Sequence, residues 1–97
     1  MKIIVVDDEI IQLERLKETI SEVVPNCDLS GFSNPLEALE WAKENRPEIA
    51  FLDIQMPVMD GITLAKELKI QNPKINLVFV TGYYEEYVFD AMPLHFS

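Results

Sequence analysis

A chain of 97 residues, 48% hydrophobic and 26% charged, has room for one globular domain with a real core, and its composition is neither that of a disordered segment nor that of a coiled coil. Eight Lys and Arg against 17 Asp and Glu leave a formal net charge of −9, which repels phosphate backbones and anionic lipid, so no nucleic acid and no membrane is expected to bind this segment. Met1 and Lys2 lead directly into a short apolar run too brief to span a bilayer, and the chain is read as cytoplasmic.

Residues 2–6 (KIIVV) predict a first strand. Ile10, Leu13, Leu16 or Lys17, Ile20 and Val23 then recur at helical spacing, and Pro25 and Asn26 stop that helix. A short strand is expected around Cys27–Phe32. Asn34-Pro35-Leu36-Glu37 combines an N-cap, a Pro at the first helical position and a Glu at the third, so a second helix starts there, with Leu36, Ala38, Leu39 and Ala42 on its apolar face and Trp41 near it. Arg46-Pro47 closes it ahead of the strand IAFL. Asp60-Gly61 marks a turn and caps a third helix carrying Ile62, Ala65 and Leu68, which Asn72-Pro73 ends. Residues 76–81 (NLVFVT) predict a fourth strand, Gly82 a loop, and a fourth helix is expected from about Tyr84 to Pro93. Strands alternating with helices of this length make a parallel α/β sheet through right-handed crossovers. Cys27 is the only cysteine and His95 the only histidine; neither has the partners that a disulfide, a metal site or a catalytic dyad needs, and Cys27 is read as a small core residue and His95 as an incidental loop or packing residue.

The chemistry is expected at the strand ends. Asp7 and Asp8 follow the run IIVV and Asp53 follows IAFL, and open α/β sheets bind ligands beyond the carboxyl ends of their strands. Three carboxylates held together repel one another unless a cation neutralises them, and a hard divalent ion such as Mg2+ takes oxygen ligands of this kind beside phosphate oxygens. Asp53 is the candidate nucleophile toward a phosphoryl group. The plainer readings are that Asp7 and Asp8 cap the first helix, that Asp53 opens a turn, and that Thr81 is a hydroxyl turn ahead of Gly82.

The segments VVDDE, FLDIQMPVMDG and VFVTG resemble, in order and spacing, the receiver domains of two-component response regulators. The resemblance implies a flavodoxin-like sheet of order 2-1-3-4-5. It makes Asp53 the acceptor of phosphate from a sensor histidine kinase, with Asp8 and Asp53 as direct Mg2+ ligands, the main-chain carbonyl of Gln55 as a further ligand and Asp7 acting through a metal-bound water. Thr81 corresponds to the hydroxyl residue that hydrogen-bonds the phosphoryl group and couples it to a distant surface; Met56, Pro57 and Gly61 shape the adjoining loop. The phrase YEEYVFDAMPLHFS is similar to receivers that precede DNA-binding output domains, so an output domain is expected in the full-length protein. The sequence ends at Ser97, before the fifth strand with its Lys and before the fifth helix that the family carries, giving the order 2-1-3-4; Lys74 precedes the fourth strand and does not substitute for that Lys. The exposed edge of the fourth strand is then an expected site of self-association. Two other functions compete: a truncated receiver acting as an interaction module without productive phosphorylation, and an aspartyl phosphatase. The second is disfavoured because Gln55 stands where such enzymes carry a second Asp.

Overall fold

In a computed structural model, residues 1–80 are described, and they form an α/β unit in the order β1 (Lys2–Val6), α1 (Ile10–Val23), β2 (Asp28–Phe32), α2 (Pro35–Asn45), β3 (Ile49–Leu52), α3 (Gly61–Gln71) and β4 (Asn76–Phe79). Thr81, the fourth helix, His95 and whatever lies along the outer edge of β4 fall outside the described residues. The four strands are all parallel in the order β2-β1-β3-β4. This is the sheet expected from the sequence, with β1 and β3 at its centre.

The strands are apolar throughout because both faces are covered, and successive side chains go to opposite faces. Ile4, Val6, Ala50, Leu52, Leu77 and Phe79 pack with Ala38, Ala42, Leu64, Ala65, Leu68 and Ile75 on the side of α2 and α3. Ile3 and Val5 pack with Leu13 and Ile20 of α1 on the other. Half-buried Cys27 lies against this second cluster, as a small packing residue would. Trp41 meets Phe32 in a tilted aromatic pair with ring centroids 5.6 Å apart.

The helix starts follow their local chemistry. The Asn34 side chain accepts from the Leu36 N–H at 2.9 Å ahead of Pro35, and Asp60 accepts from the Thr63 N–H at 2.8 Å. Arg46 ends α2 in the left-handed region, φ 47°, immediately before Pro47. Lys74 stands just ahead of β4, at the end of the sheet opposite the acids.

Three apolar positions depart from the faces expected of them. Ile10 and Val23, at the two ends of α1, are exposed, as is Leu36 in the first turn of α2. A helix of 14 residues is about 21 Å long, whereas the 5 residues of β1 beneath it span about 17 Å, so the ends of α1 overhang the sheet. In α3 the buried set is Leu64, Ala65 and Leu68, with Ile62 only partly covered. Strand β4 is also shorter than expected, ending at Phe79.

Leu64, fully enclosed between α3 and the sheet, is expected to be the more costly truncation in this helix. Leu64→Ala should lower unfolding stability by about 3 kcal/mol, and Ile62→Ala by about half as much, in chemical denaturation.

Candidate functional site

The backbone ladder sets the site. Val6 pairs with both Phe32 and Leu52, so the carboxyl ends of β2, β1 and β3 lie level. The ladder then runs one residue further: the Asp7 N–H donates to the Phe32 carbonyl at 3.1 Å and the Asp53 N–H to the Val6 carbonyl at 2.9 Å. Two acids distant in sequence are thereby fixed side by side by main-chain bonds. Asp8 completes the group, and one carboxylate oxygen from each of Asp7, Asp8 and Asp53 lies within 4.8 Å of the other two.

Among the described residues, the charges that act most on Asp7 and Asp53 are those of other acids. Asp7 is buried; Asp8 and Asp53 are half-buried. Burial pushes the Asp53 carboxyl up to about 6, and the charge of Asp7 pushes it the same way, against a hydrogen bond from the Ile54 N–H. Asp7 is raised too, first by burial and then by Asp8 and Glu9, with the Glu9 N–H opposing. Among the described residues, the segments that follow β1, β2 and β3 at this end of the sheet, residues 7–12, 33–37 and 53–63, contain no Lys or Arg. A cluster of hard oxygen donors that raises its own proton affinity fits a small divalent cation, which would replace the proton as the neutralising charge.

The capping reading of the first acids holds in part. Asp7 Oδ1 accepts from the Glu9 N–H at 2.9 Å, but the N-cap of α1 is Glu9, whose side chain makes no capping bond. Asp53 likewise opens a turn, and the loop that follows is built tightly against it. Gly61 donates its N–H to the Ile54 carbonyl at 2.8 Å, and a Cβ on Gly61 would overlap the Asp53 carbonyl, standing 2.9 Å from its carbon and 3.0 Å from Ile54 Cα. Only glycine allows this approach. Gln55, two residues after Asp53 in that loop, is exposed and lines an open groove of about 650 Å3 together with Ile54, Met56, Pro57, Asp60, Ile62 and Thr63.

One feature of the loop was not legible in the motif. Val58 has φ 72°, a left-handed conformation that costs a β-branched residue about 1–3 kcal/mol. The neighbouring Pro57 and Asp60-Gly61 signal a turn, but Val is a residue that argues against positive φ, so its identity hid the conformation.

Two outcomes follow from this geometry. A carboxyl raised from 3.8 to about 6 contributes stability that is complete below pH 3.8 and lost as pH rises through 6; Asp7 acts in the same sense, whereas Asp60, whose carboxyl is lowered by the Thr63 N–H, acts only below 3.8. In EDTA, Asp53→Asn should therefore raise the melting temperature by a few degrees at pH 7.5, roughly 1 kcal/mol once solvent screening has weakened the repulsion, and by about half as much at pH 5. An equal effect at both pH values would contradict the assigned repulsion. Gly61→Ala should destabilise the fold by about 2 kcal/mol or more, and amide NMR should show the largest shifts at Asp53 and Ile54 rather than along α3.

Among the described residues no helix is long and apolar enough to cross a membrane. The sequence pattern of the response regulator receiver domain matches residues 3–95. An uncharacterized response regulatory protein of Vibrio cholerae is 34% identical over 93 residues, covering 95% of this chain and 35% of that protein. The transcriptional regulatory protein YpdB of Escherichia coli is 33% identical over 88 residues, covering 91% and 36%. Among solved structures, the REC domain of AraT, a response regulator from Geobacillus stearothermophilus, superposes with a TM-score of 0.79 at 35% identity, covering 96% of this chain and 74% of that one. The chain thus spans little more than a third of the length of these two curated relatives. With four parallel strands in the order β2-β1-β3-β4, three acids gathered at their carboxyl ends and a family match over nearly its whole length, this chain belongs to the response regulator receiver domain family.

Proposed function

We propose that the chain is the phosphoacceptor domain of a two-component response regulator, taking a phosphoryl group from a sensor histidine kinase onto Asp53 and relaying the event to an output domain. The observation that carries this reading is the meeting of three carboxylate oxygens within 4.8 Å at the strand ends, with the Asp53 carboxyl pushed up to about 6. At neutral pH Asp53 is then ionised and able to attack phosphorus. An oxygen–phosphorus bond forms as the nitrogen–phosphorus bond of the donor phosphohistidine breaks, and the bonding pair leaves with the imidazole.

Asp8, Asp53 and the main-chain carbonyl of Gln55 would hold Mg2+, with Asp7 reaching it through a water. When bound, the ion supplies positive charge against the carboxylates and the transferring phosphoryl oxygens. Asp7 and Asp8 otherwise keep a polar, anionic floor beneath Asp53, and Gly61 fixes the backbone from which Asp53 projects. The role of Thr81, a hydrogen bond to the phosphoryl group, rests on resemblance.

Gln55, an amide in the position where an aspartyl phosphatase needs an acid, supports a stoichiometric acceptor rather than a turnover enzyme. We assign residues 1–97 to this one domain, acting in the cytoplasm. A transcriptional output is the reading favoured by the similarity to YpdB, whose name is that of a transcriptional regulator.

Incubation with acetyl phosphate and Mg2+ should add one phosphoryl group, mapped to Asp53 by mass spectrometry after borohydride trapping. EDTA or Asp53→Asn should abolish the label. Labelling of Asp53→Asn at the wild-type level would refute the assignment, and an unlabelled wild-type chain would favour an interaction module without phosphorylation.

A further inference from the structure

The loop from Asp53 to α3 is closed at its base and cinched in its middle. At the base the Gly61 N–H takes the Ile54 carbonyl. In the middle the Met59 N–H donates to the Pro57 carbonyl at 2.7 Å around Val58, φ 72°. A bond from residue i+2 to residue i with positive φ between them is the rare, strained form of the γ-turn.

The neighbours explain why the chain turns there. Met56 and Met59 both pack against the core beneath α2 and α3, while Pro57 and Val58 are exposed, Val58 to 74%. With side chains anchored inward at both 56 and 59, the reversal must be made by the two residues between. The Pro57 ring fixes its own φ near −65°, so the unusual dihedral falls on Val58. An exposed side chain offers no packing in return for this strain, and strain persists only where its surroundings over-determine it.

What the turn holds in place is the run 54–56. The Ile54 carbonyl is taken by Gly61, whereas among the described residues no protein donor reaches the next carbonyl, that of Gln55. We propose that Val58 is a positioning residue for the cation site: its strained turn fixes the path of residues 54–56 relative to the carboxylates of Asp7, Asp8 and Asp53. This rests on the reading of those residues as a Mg2+ site. A residue that adopts positive φ easily should relax the turn, but with two different consequences. Glycine also frees the loop to leave that conformation, whereas asparagine tolerates it and keeps a side chain that restricts the backbone.

The test is calorimetric Mg2+ titration of the wild-type chain, Val58→Gly and Val58→Asn, with melting temperatures in EDTA. Both variants should melt higher than wild type. Val58→Gly should bind Mg2+ three- to tenfold more weakly, and Val58→Asn within twofold of wild type. A more stable protein with a weaker site is a combination that a merely structural residue would not produce. The inference is overturned if Val58→Gly binds Mg2+ within twofold of wild type, if both variants lose affinity equally, or if both melt lower. A wild-type chain with no Mg2+ response overturns the metal-site reading and this inference together; a wild-type response that Val58→Gly shares overturns this inference alone.

Discussion

The main-chain bond from the Asp53 N–H to the Val6 carbonyl is the contact on which the rest of the site depends. It extends the β1–β3 ladder one residue beyond the apolar pairing of Val6 with Leu52, and so places a carboxylate of β3 beside those that follow β1. The fold has no freedom to separate them, because a shift of register would also move Ile4, Val6, Ala50 and Leu52 out of the core they share. Hydrophobic packing is therefore what holds like charges together. The raised proton affinities of Asp7 and Asp53 are the electrostatic expression of that constraint.

The loop after β3 adds a second constraint of the same sign. Gly61 must have no side chain for α3 to begin against the Asp53 backbone, and Val58 sits in a conformation its own branching opposes. Both costs fall within a few residues of Asp53, whereas the caps of α2 and α3 and the apolar interior follow local preference. Departures from local preference concentrated at one place are what a functional site looks like when fold and function make different demands on the same residues.

The site was more legible in the sequence than the helix faces were. Asp7, Asp8 and Asp53 could be placed because each follows a continuous apolar run, and a run buried on both faces has few alternatives to a central parallel strand. Amphipathic spacing names a stripe but not its length: Ile10, Val23 and Leu36 fit the period yet lie where the helices pass beyond the sheet or begin. Leu64 escaped notice because the series Ile62, Ala65, Leu68 takes every third residue, while the face that α3 buries is centred on Leu64 and Leu68, four apart. Val58 was hidden because residue identity and conformation disagree there, and only coordinates reveal such a conflict.

The distribution of positive charge gives the acid cluster its consequence. Lys2 opens β1, Lys43 and Arg46 stand at the end of α2, Lys69 in the last turn of α3, and Lys74 just before β4. All lie toward the amino ends of the strands, where the carboxyl ends of α2 and α3 favour cations, and Lys69 donates to the Pro73 and Ile75 carbonyls there. Had one of these side chains reached the carboxyl end of the sheet, it would have neutralised Asp7 and Asp53 internally and stabilised the fold alone. Arg15 and Lys17 stand within α1 and Lys66 within α3, and no Lys or Arg is among the main influences on Asp7 or Asp53, so the described residues leave the repulsion to be relieved by protons or by a cation from solution. Any ligand that relieves it binds the folded chain in preference to the unfolded one, so stability and occupancy of the site are linked by mass action. The strand-end acids are thus a cost to the fold and, for the same electrostatic reason, a place where positive charge is favoured.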